Sequence, residues 1–118
     1  MKKFALTKSE KILDSKEFTR IRRQGKTYKG ELLILTILKS PIGRHRVGIS
    51  ISAKKIKLAT RRNHLRRLIK DSFRFLKVRI KNGSFDQVYI VRKAPEKRLT
   101  FSYIDNSIQE LLKKAGIL

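Results

Sequence analysis

Apolar residues recur along this chain of 118 residues in two rhythms, and the switches between them outline its elements. From about Leu58 to Ile80, at roughly 100° per residue, Leu65, Leu68, Ile69, Phe73, Leu76 and Ile80 fall on one stripe and predict a long amphipathic helix. Asn63, Arg66, Arg67, Lys70, Arg74 and Lys77 share an arc of about 100° on its other side. Ahead of it, Arg46 to Ser52 alternates apolar with small or polar residues, as a strand buried on one face does. Glu31 to Lys39, rich in Leu and Ile, reads as a buried strand closed by the turn sequence Ser40-Pro41-Ile42-Gly43. Near the start, Asp14 or Ser15 caps a short helix with Glu17 in its first turn, Phe18 and Ile21 as a narrow apolar face, and Gly25 just past its end.

Beyond the central helix, Asn82-Gly83-Ser84 breaks the pattern, Gln87 to Arg92 forms another strand, and Ala94-Pro95 closes it. Thr100 or Ser102 caps a last helix in which Ile104, Ile108, Leu111 and Leu112 share a face, with Lys113, Lys114 and Gly116 as its C-terminal signals. Met1 to Asp14 reads as an irregular basic arm. With no repeat, low-complexity block or linker, residues 1–118 form a single domain. The order is helix, two strands (three if the first apolar run is split), helix, strand, helix. That predicts an α+β fold, an α/β sandwich whose small sheet is covered by helices on one face, leaving the other face or a groove open.

Charge then narrows the function. Lys plus Arg number 31 against 9 Asp plus Glu, a net charge of +22. Hydrophobic residues at 40% provide for a core, so this is no disordered basic tail. Self-repulsion on that scale costs stability, and it is tolerated when a polyanion is the usual companion. The charge is concentrated in Lys54 to Lys70, which carries eight Lys or Arg residues and no acid. A charged helix face is ordinarily just solvated. This one has no acids for i,i+4 pairing, with Asp71 lying off it, so like charges repel along the rod and a phosphate backbone is the expected ligand.

The sequence excludes much else. Without Cys there is no disulfide, thiol chemistry or zinc-finger framework. The longest apolar run, Leu32 to Leu38, is interrupted by Thr36 and too short to span a bilayer. Met1 to Leu6 resembles a charged leader start, but Thr7-Lys8-Ser9-Glu10 follows at once, so a cytoplasmic location is expected. His45 and His64 lack partners at metal-ligand spacing, the acids are scattered, and there is no Gly-rich phosphate loop or nucleophile elbow. No catalytic residue and no metal site is expected in the chain itself. Among its aromatic residues, Phe18 is the one placed to edge a groove and stack on an unpaired base, with core packing as the competing role.

Ala59-Thr60-Arg61-Arg62-Asn63-His64-Leu65-Arg66-Arg67, preceded by Lys54-Lys55 and an Ile-Ser-Ile-Ser strand, resembles the signature of the bacterial ribonuclease P protein subunit. That signature is Ala, two variable residues, Arg-Asn-Arg, an aliphatic residue and two basic residues, matched here by Ala59, Arg62-Asn63, Leu65 and Arg66-Arg67. The resemblance spans nearly the whole chain. It implies an α-β-β-β-α-β-α sandwich like the second domain of the fifth small-subunit ribosomal protein, with a four-stranded sheet and a left-handed crossover around the central helix. It also implies a division of labour. A catalytic RNA with bound Mg²⁺ cleaves precursor tRNA at the mature 5′ end, while the protein stabilises that RNA and holds the single-stranded 5′ leader between the first helix and the sheet.

Carried over by position, the resemblance makes Lys54, Lys55, Arg61, Arg62, Asn63, His64, Arg66, Arg67 and Lys70 RNA-binding, and Phe18, Arg22 and Thr36 the leader cleft. Mg²⁺ is expected to be held mainly by the RNA. The partners are the catalytic RNA and precursor tRNA, with no membrane or protein partner. Three departures from the signature stand out. His64 replaces the second Arg, exchanging a permanent charge and fork donor for a titratable ring. Arg22 and Thr36 stand where relatives often carry aromatic residues, which makes leader binding more electrostatic. Gly48 to Lys54 is one residue longer than expected. The alternatives are a structural ribosomal RNA-binding protein, a DNA-binding regulator with the central helix in the major groove, and a self-sufficient nuclease.

Overall fold

The computed structural model describes residues 10–12 and 14–118, so most of the expected basic arm lies outside the described residues. Helix α1 (Ser15–Gln24) is followed by strands β1 (Lys26–Lys29), β2 (Leu33–Lys39) and β3 (Arg46–Ser50), helix α2 (Ala59–Leu76), strand β4 (Phe85–Val91) and helix α3 (Phe101–Lys114). The strands form one sheet in the order β1-β2-β4-β3. β1 pairs antiparallel with β2, and β2 with β4. β3 lies parallel to β4, and α2 makes the connection between them.

Local chemistry sets the helix ends. The Asp14 carboxylate accepts a hydrogen bond from the Lys16 N–H at 3.0 Å, satisfying a donor the first turn of α1 leaves open. Thr100 does the same for α3, its Oγ1 accepting from the Tyr103 N–H at 3.2 Å. α2 ends earlier than its apolar stripe suggests: the chain tightens into a 3₁₀ turn at Lys77–Arg79, and Ile80 packs only partly buried against the core.

Two clusters hold the layers together. The larger buries Leu33, Leu35 and Ile37 of β2 and Phe85, Tyr89 and Val91 of β4 against Leu65, Ile69, Phe73 and Leu76 of α2 and Ile104, Ile108, Leu111 and Leu112 of α3. The smaller joins Ile12, Ile21 and Val88, with Phe18, Leu38 and Ile90 packed around them. So the second face of the sheet is not left bare as the sequence suggested, because α1 covers part of it. Strand β1, one of the three strands the resemblance implies ahead of the central helix, has no periodic signal of its own. Its residues Lys26-Thr27-Tyr28-Lys29 show no apolar alternation, since an edge strand of four residues turns only Tyr28 inward.

Two glycines make the close approaches. A Cβ on Gly25 would lie 2.5 Å from the Ile37 carbonyl oxygen, so only Gly lets the end of α1 rest on β2. A Cβ on Gly48 would lie 2.7 Å from the Phe18 ring, so Gly48 is what lets that ring settle onto β3. The edge of β3 is capped in turn by the N-terminal segment, where Lys11 bridges Val47 and the Ile12 N–H donates to the Val47 carbonyl at 2.8 Å.

A buried ion network fixes α1 on the sheet. Asp86 of β4 is fully buried and accepts from Arg46 Nε at 2.7 Å, Arg46 Nη2 at 2.6 Å and Arg20 Nη2 at 2.9 Å. Arg46 also reaches Glu17 Oε1 at 2.8 Å. Hydrogen bonds from Arg46 and Arg20 hold the Glu17 carboxyl below its usual value, and the bond to Asp86 raises the pKa of Arg46 further. Removing one partner of a buried pair leaves an uncompensated charge, which costs about 3–5 kcal/mol. Asp86→Ala is therefore expected to lower the unfolding free energy by about that amount, read as a shifted urea midpoint at unchanged slope. A midpoint within error of the parent would show that α1 docks without the network.

Candidate nucleic-acid interface

Long amphipathic α2 anchors one stripe in the core and turns Asn63, Arg66, Arg67 and Lys70 outward or half outward. The stripe is less extensive than its sequence suggests. Arg74 pairs with Asp71 one turn before it, and Lys77 pairs with Glu10 of the N-terminal segment. Sequence reasoning set Asp71 aside because it lies off the arc, yet i,i+3 side chains are near neighbours on a helix and Arg is long enough to close the gap. The uncompensated part is the N-terminal half of α2, where Arg66 Nη1 donates to Asn63 Oδ1 at 2.9 Å and no carboxylate intervenes.

Lys70 and Arg66 border a small hollow with Lys11, over a floor of Ile12, Val47, Gly48 and Ile49. No acid lines it. Burial lowers the Lys70 pKa, and the neighbouring charges of Lys11 and Arg66 lower it further. An anion seated among these three groups relieves their repulsion and favours the charged lysine. Lys11 escaped the sequence reading, which placed it in an irregular arm. Its position depends on backbone pairing to β3, which leaves no periodic signal.

Phe18 stands on the other side of Gly48 and Ile12 from that hollow, so basic and aromatic surfaces are continuous across β3. Phe18 and Arg22, one helical turn apart, line a shallow depression with Thr19 and Arg23. Thr36 does not join them. It is buried beneath the end of α1, and its hydroxyl is 3.1 Å from that of Thr27 across the β1–β2 pair. It belongs to the floor under the helix rather than to an open contact surface.

Two signature residues also turn elsewhere. Arg62 directs Nη1 to the Ile56 carbonyl at 2.9 Å and the Lys57 carbonyl at 2.8 Å. It thereby braces the loop that carries Lys54 and Lys55, both exposed, into the start of α2. Buried Ile56 pins that loop to the core. His64 lies half-buried with Nε2 3.3 Å from the Leu99 carbonyl, on the side of α2 that meets α3. Arg61 is exposed near the N-terminus of α2, beside the lysine loop.

Among the described residues, no three His, Cys, Asp or Glu side chains come together as a metal site, and no helix is long and apolar enough to cross a membrane. The cations of this surface and its aromatic ring are the groups that phosphates and an unpaired base would contact.

Comparison with known proteins agrees with this geometry. A family model described as Ribonuclease P matches residues 6–116. The ribonuclease P protein component of Clostridium botulinum (strain Langeland) is 40% identical over 111 residues, covering 93% of this chain and 97% of the relative. That of Clostridioides difficile (strain 630) is 40% identical over 102 residues, covering 86% and 87%. The solved RNase P protein of Staphylococcus aureus superposes with a TM-score of 0.81 at 29% identity, over 93% of this chain and 98% of that one. That of Thermotoga maritima gives 0.74 at 31% identity, over 89% and 96%. Family model, relatives and fold agree along nearly the entire length, and this chain belongs to the ribonuclease P protein family.

Proposed function

We propose that this chain is the protein subunit of ribonuclease P, acting in the cytoplasm as the non-catalytic partner of a catalytic RNA. It binds that RNA through the lysine loop and the N-terminal half of α2. It holds the 5′ leader of precursor tRNA along the surface from Arg66 and Lys70 to Phe18 and Arg22, and so assists endonucleolytic release of the leader. The observation that carries this reading is the acid-free surface of Lys11, Arg66 and Lys70, continuous with Phe18 across Gly48. Phosphates meet fixed cations at one end of it and an unpaired base meets an aromatic ring at the other.

Magnesium takes oxygen ligands, above all carboxylates. The surface offers ammonium and guanidinium groups instead, and the described carboxylates do not cluster. These residues do not fit the ion, and we assign it to the RNA. Reconstitution tests the whole reading. Added to the catalytic RNA at low Mg²⁺, the protein is expected to stimulate precursor tRNA cleavage while remaining inactive alone. Unchanged cleavage would overturn the proposal in favour of a structural ribosomal RNA binder, and cleavage by the protein without RNA would make it a nuclease in its own right.

Within that reading, Arg66 and Arg62 have separable roles. Arg66→Ala is expected to weaken RNA binding and reduce the salt slope by about 1, with stability changed by no more than about 0.5 kcal/mol. Arg62→Ala is expected to weaken binding too, but with a loss of about 1–2 kcal/mol in unfolding free energy, because two carbonyls lose a charged donor. Equal stability of the two variants in urea would contradict this division.

Phe18→Ala is expected to reduce affinity for precursor tRNA about fivefold or more, the usual range for losing a stacked base. The loss should vanish when the substrate lacks its leader, and Phe18→Leu serves as the packing control. A loss independent of the leader would assign Phe18 to packing alone.

A further inference from the structure

The sheet carries a second open hollow on the face away from Phe18. It lies beyond the C-terminal end of α3, where the helix stops short of the ends of β1, β2 and β4. Tyr28, Ile37, Phe85 and Ile117 are its apolar and aromatic lining, and Lys26 and Lys39 are its cations. Ile37, Phe85 and Ile117 belong to the larger core cluster, with Tyr28 packed against it, which sets the hollow on the α3 side. Its volume of about 450 Å³ falls among small-molecule sites.

Its rim is fixed rather than formed on demand. The Lys81 N–H donates to the Ile117 carbonyl at 2.8 Å and Asn82 Nδ2 to the Gly116 carbonyl at 3.1 Å. Lys39 Nζ donates to the Asn82 carbonyl at 3.2 Å and lies 5.6 Å from the centre of the Phe85 ring. Gly83, at φ +119°, leaves room for that ammonium, since a Cβ there would come within 2.7 Å of it. These bonds tie the end of α3 to the loop before β4 and hold one cation over an aromatic ring.

Charge decides the occupant. In the hollow between α3 and the β1–β2 turn, Glu31 and Glu110 offset the charges of Lys97 and Lys114. The hollow beyond α3 has no acid in its lining. A half-buried tyrosine ring beside two lysines suits a flat heterocycle carrying a phosphate.

We infer that this hollow is a second nucleotide subsite, taking an unpaired nucleotide with its base against the half-buried Tyr28 ring and its phosphate toward Lys26 and Lys39. It goes beyond the proposed function, which uses the lysine loop, the N-terminal half of α2 and the Phe18 surface but none of the residues that line this hollow. Its test needs no catalytic RNA, so either reading can fail without the other.

The test is an amide-resolved NMR titration of the full ¹⁵N-labelled chain with adenosine 5′-monophosphate, with inorganic phosphate in parallel. Saturable shifts of Lys26 to Tyr28, Ile37 to Lys39 and Phe85 with the nucleotide, and not with phosphate alone, are expected. Tyr28→Ala is expected to raise the Kd at these amides about fivefold or more, while Tyr28→Phe stays near the parent. If Tyr28→Ala loses its dispersed spectrum, Lys26→Ala, an exposed position, takes its place and is expected to weaken binding and flatten its salt dependence. Equal shifts with phosphate alone, or nucleotide shifts confined to Phe18, Arg22, Arg66 and Lys70, would overturn the inference. Shifts of the same amides with protein concentration and no nucleotide would give the hollow to a second copy of the chain, and would overturn it too.

Discussion

The fully buried carboxylate of Asp86 is the constraint on which the rest of this structure depends. It sits on β4 and gathers Arg46 from β3 and Arg20 from α1, while Glu17 closes the circuit on Arg46. A lone carboxylate in that position would be prohibitively desolvated, and two guanidiniums forced together without it would repel. Each charge is therefore tolerable only with the others in place, which fixes where α1 lies on the sheet. The small apolar cluster of Ile12, Ile21 and Val88, with Phe18, Leu38 and Ile90 around it, adds burial that is non-directional. Ionic geometry specifies the docking, and Phe18 and Arg22 inherit their places from it.

Compensation of this kind also explains why the free charge lies where it does. In a chain of net charge +22, acids are scarce, and several are committed to holding elements together. Glu17 and Asp86 hold α1, Asp105 accepts from Ser72 to join α3 to α2, and Glu10 pairs with Lys77. The densest run of cations without an acid among them is the first half of α2 and the lysine loop before it. Several carboxylates thus serve the architecture, and that run is left without them. Repulsion among Lys11, Arg66 and Lys70 is the residual cost, and an incoming polyanion removes it.

The helices were legible in the sequence because their period of 3.6 matches their burial. Every apolar residue assigned to α2 up to Leu76 is buried, as are the four assigned to α3. Strand β1 was legible only through the resemblance, since Lys26-Thr27-Tyr28-Lys29 carries no alternation and pairs along the edge that β2 offers it. Periodicity cannot show which acid reaches which base across the fold: Arg46 and Asp86 are separated by 40 positions, Lys77 and Glu10 by 67. The candidate site was legible as a charge run with a family signature. The division of that run into phosphate-facing and bracing residues depends on rotation about the helix axis and on the loop folded back against it.

His64 shows what that rotation changes. From sequence alone, replacing an Arg in the signature removes a permanent charge from the RNA-facing set. In the fold, position 64 lies on the flank of α2 that meets α3, and the ring reaches the Leu99 carbonyl just before the Thr100 cap. A guanidinium there has the same carbonyl within reach, and its charge would face the lead-in to α3 rather than the arc of Asn63, Arg66, Arg67 and Lys70. The contact His64 makes in the fold is thus a fastening between α2 and the lead-in to α3. Arg62 extends the point, since its Nη1 donates to both the Ile56 and the Lys57 carbonyls. The signature then encodes two things at once: cations for the RNA, and the fasteners that keep the helix and its lysine loop where those cations can be used.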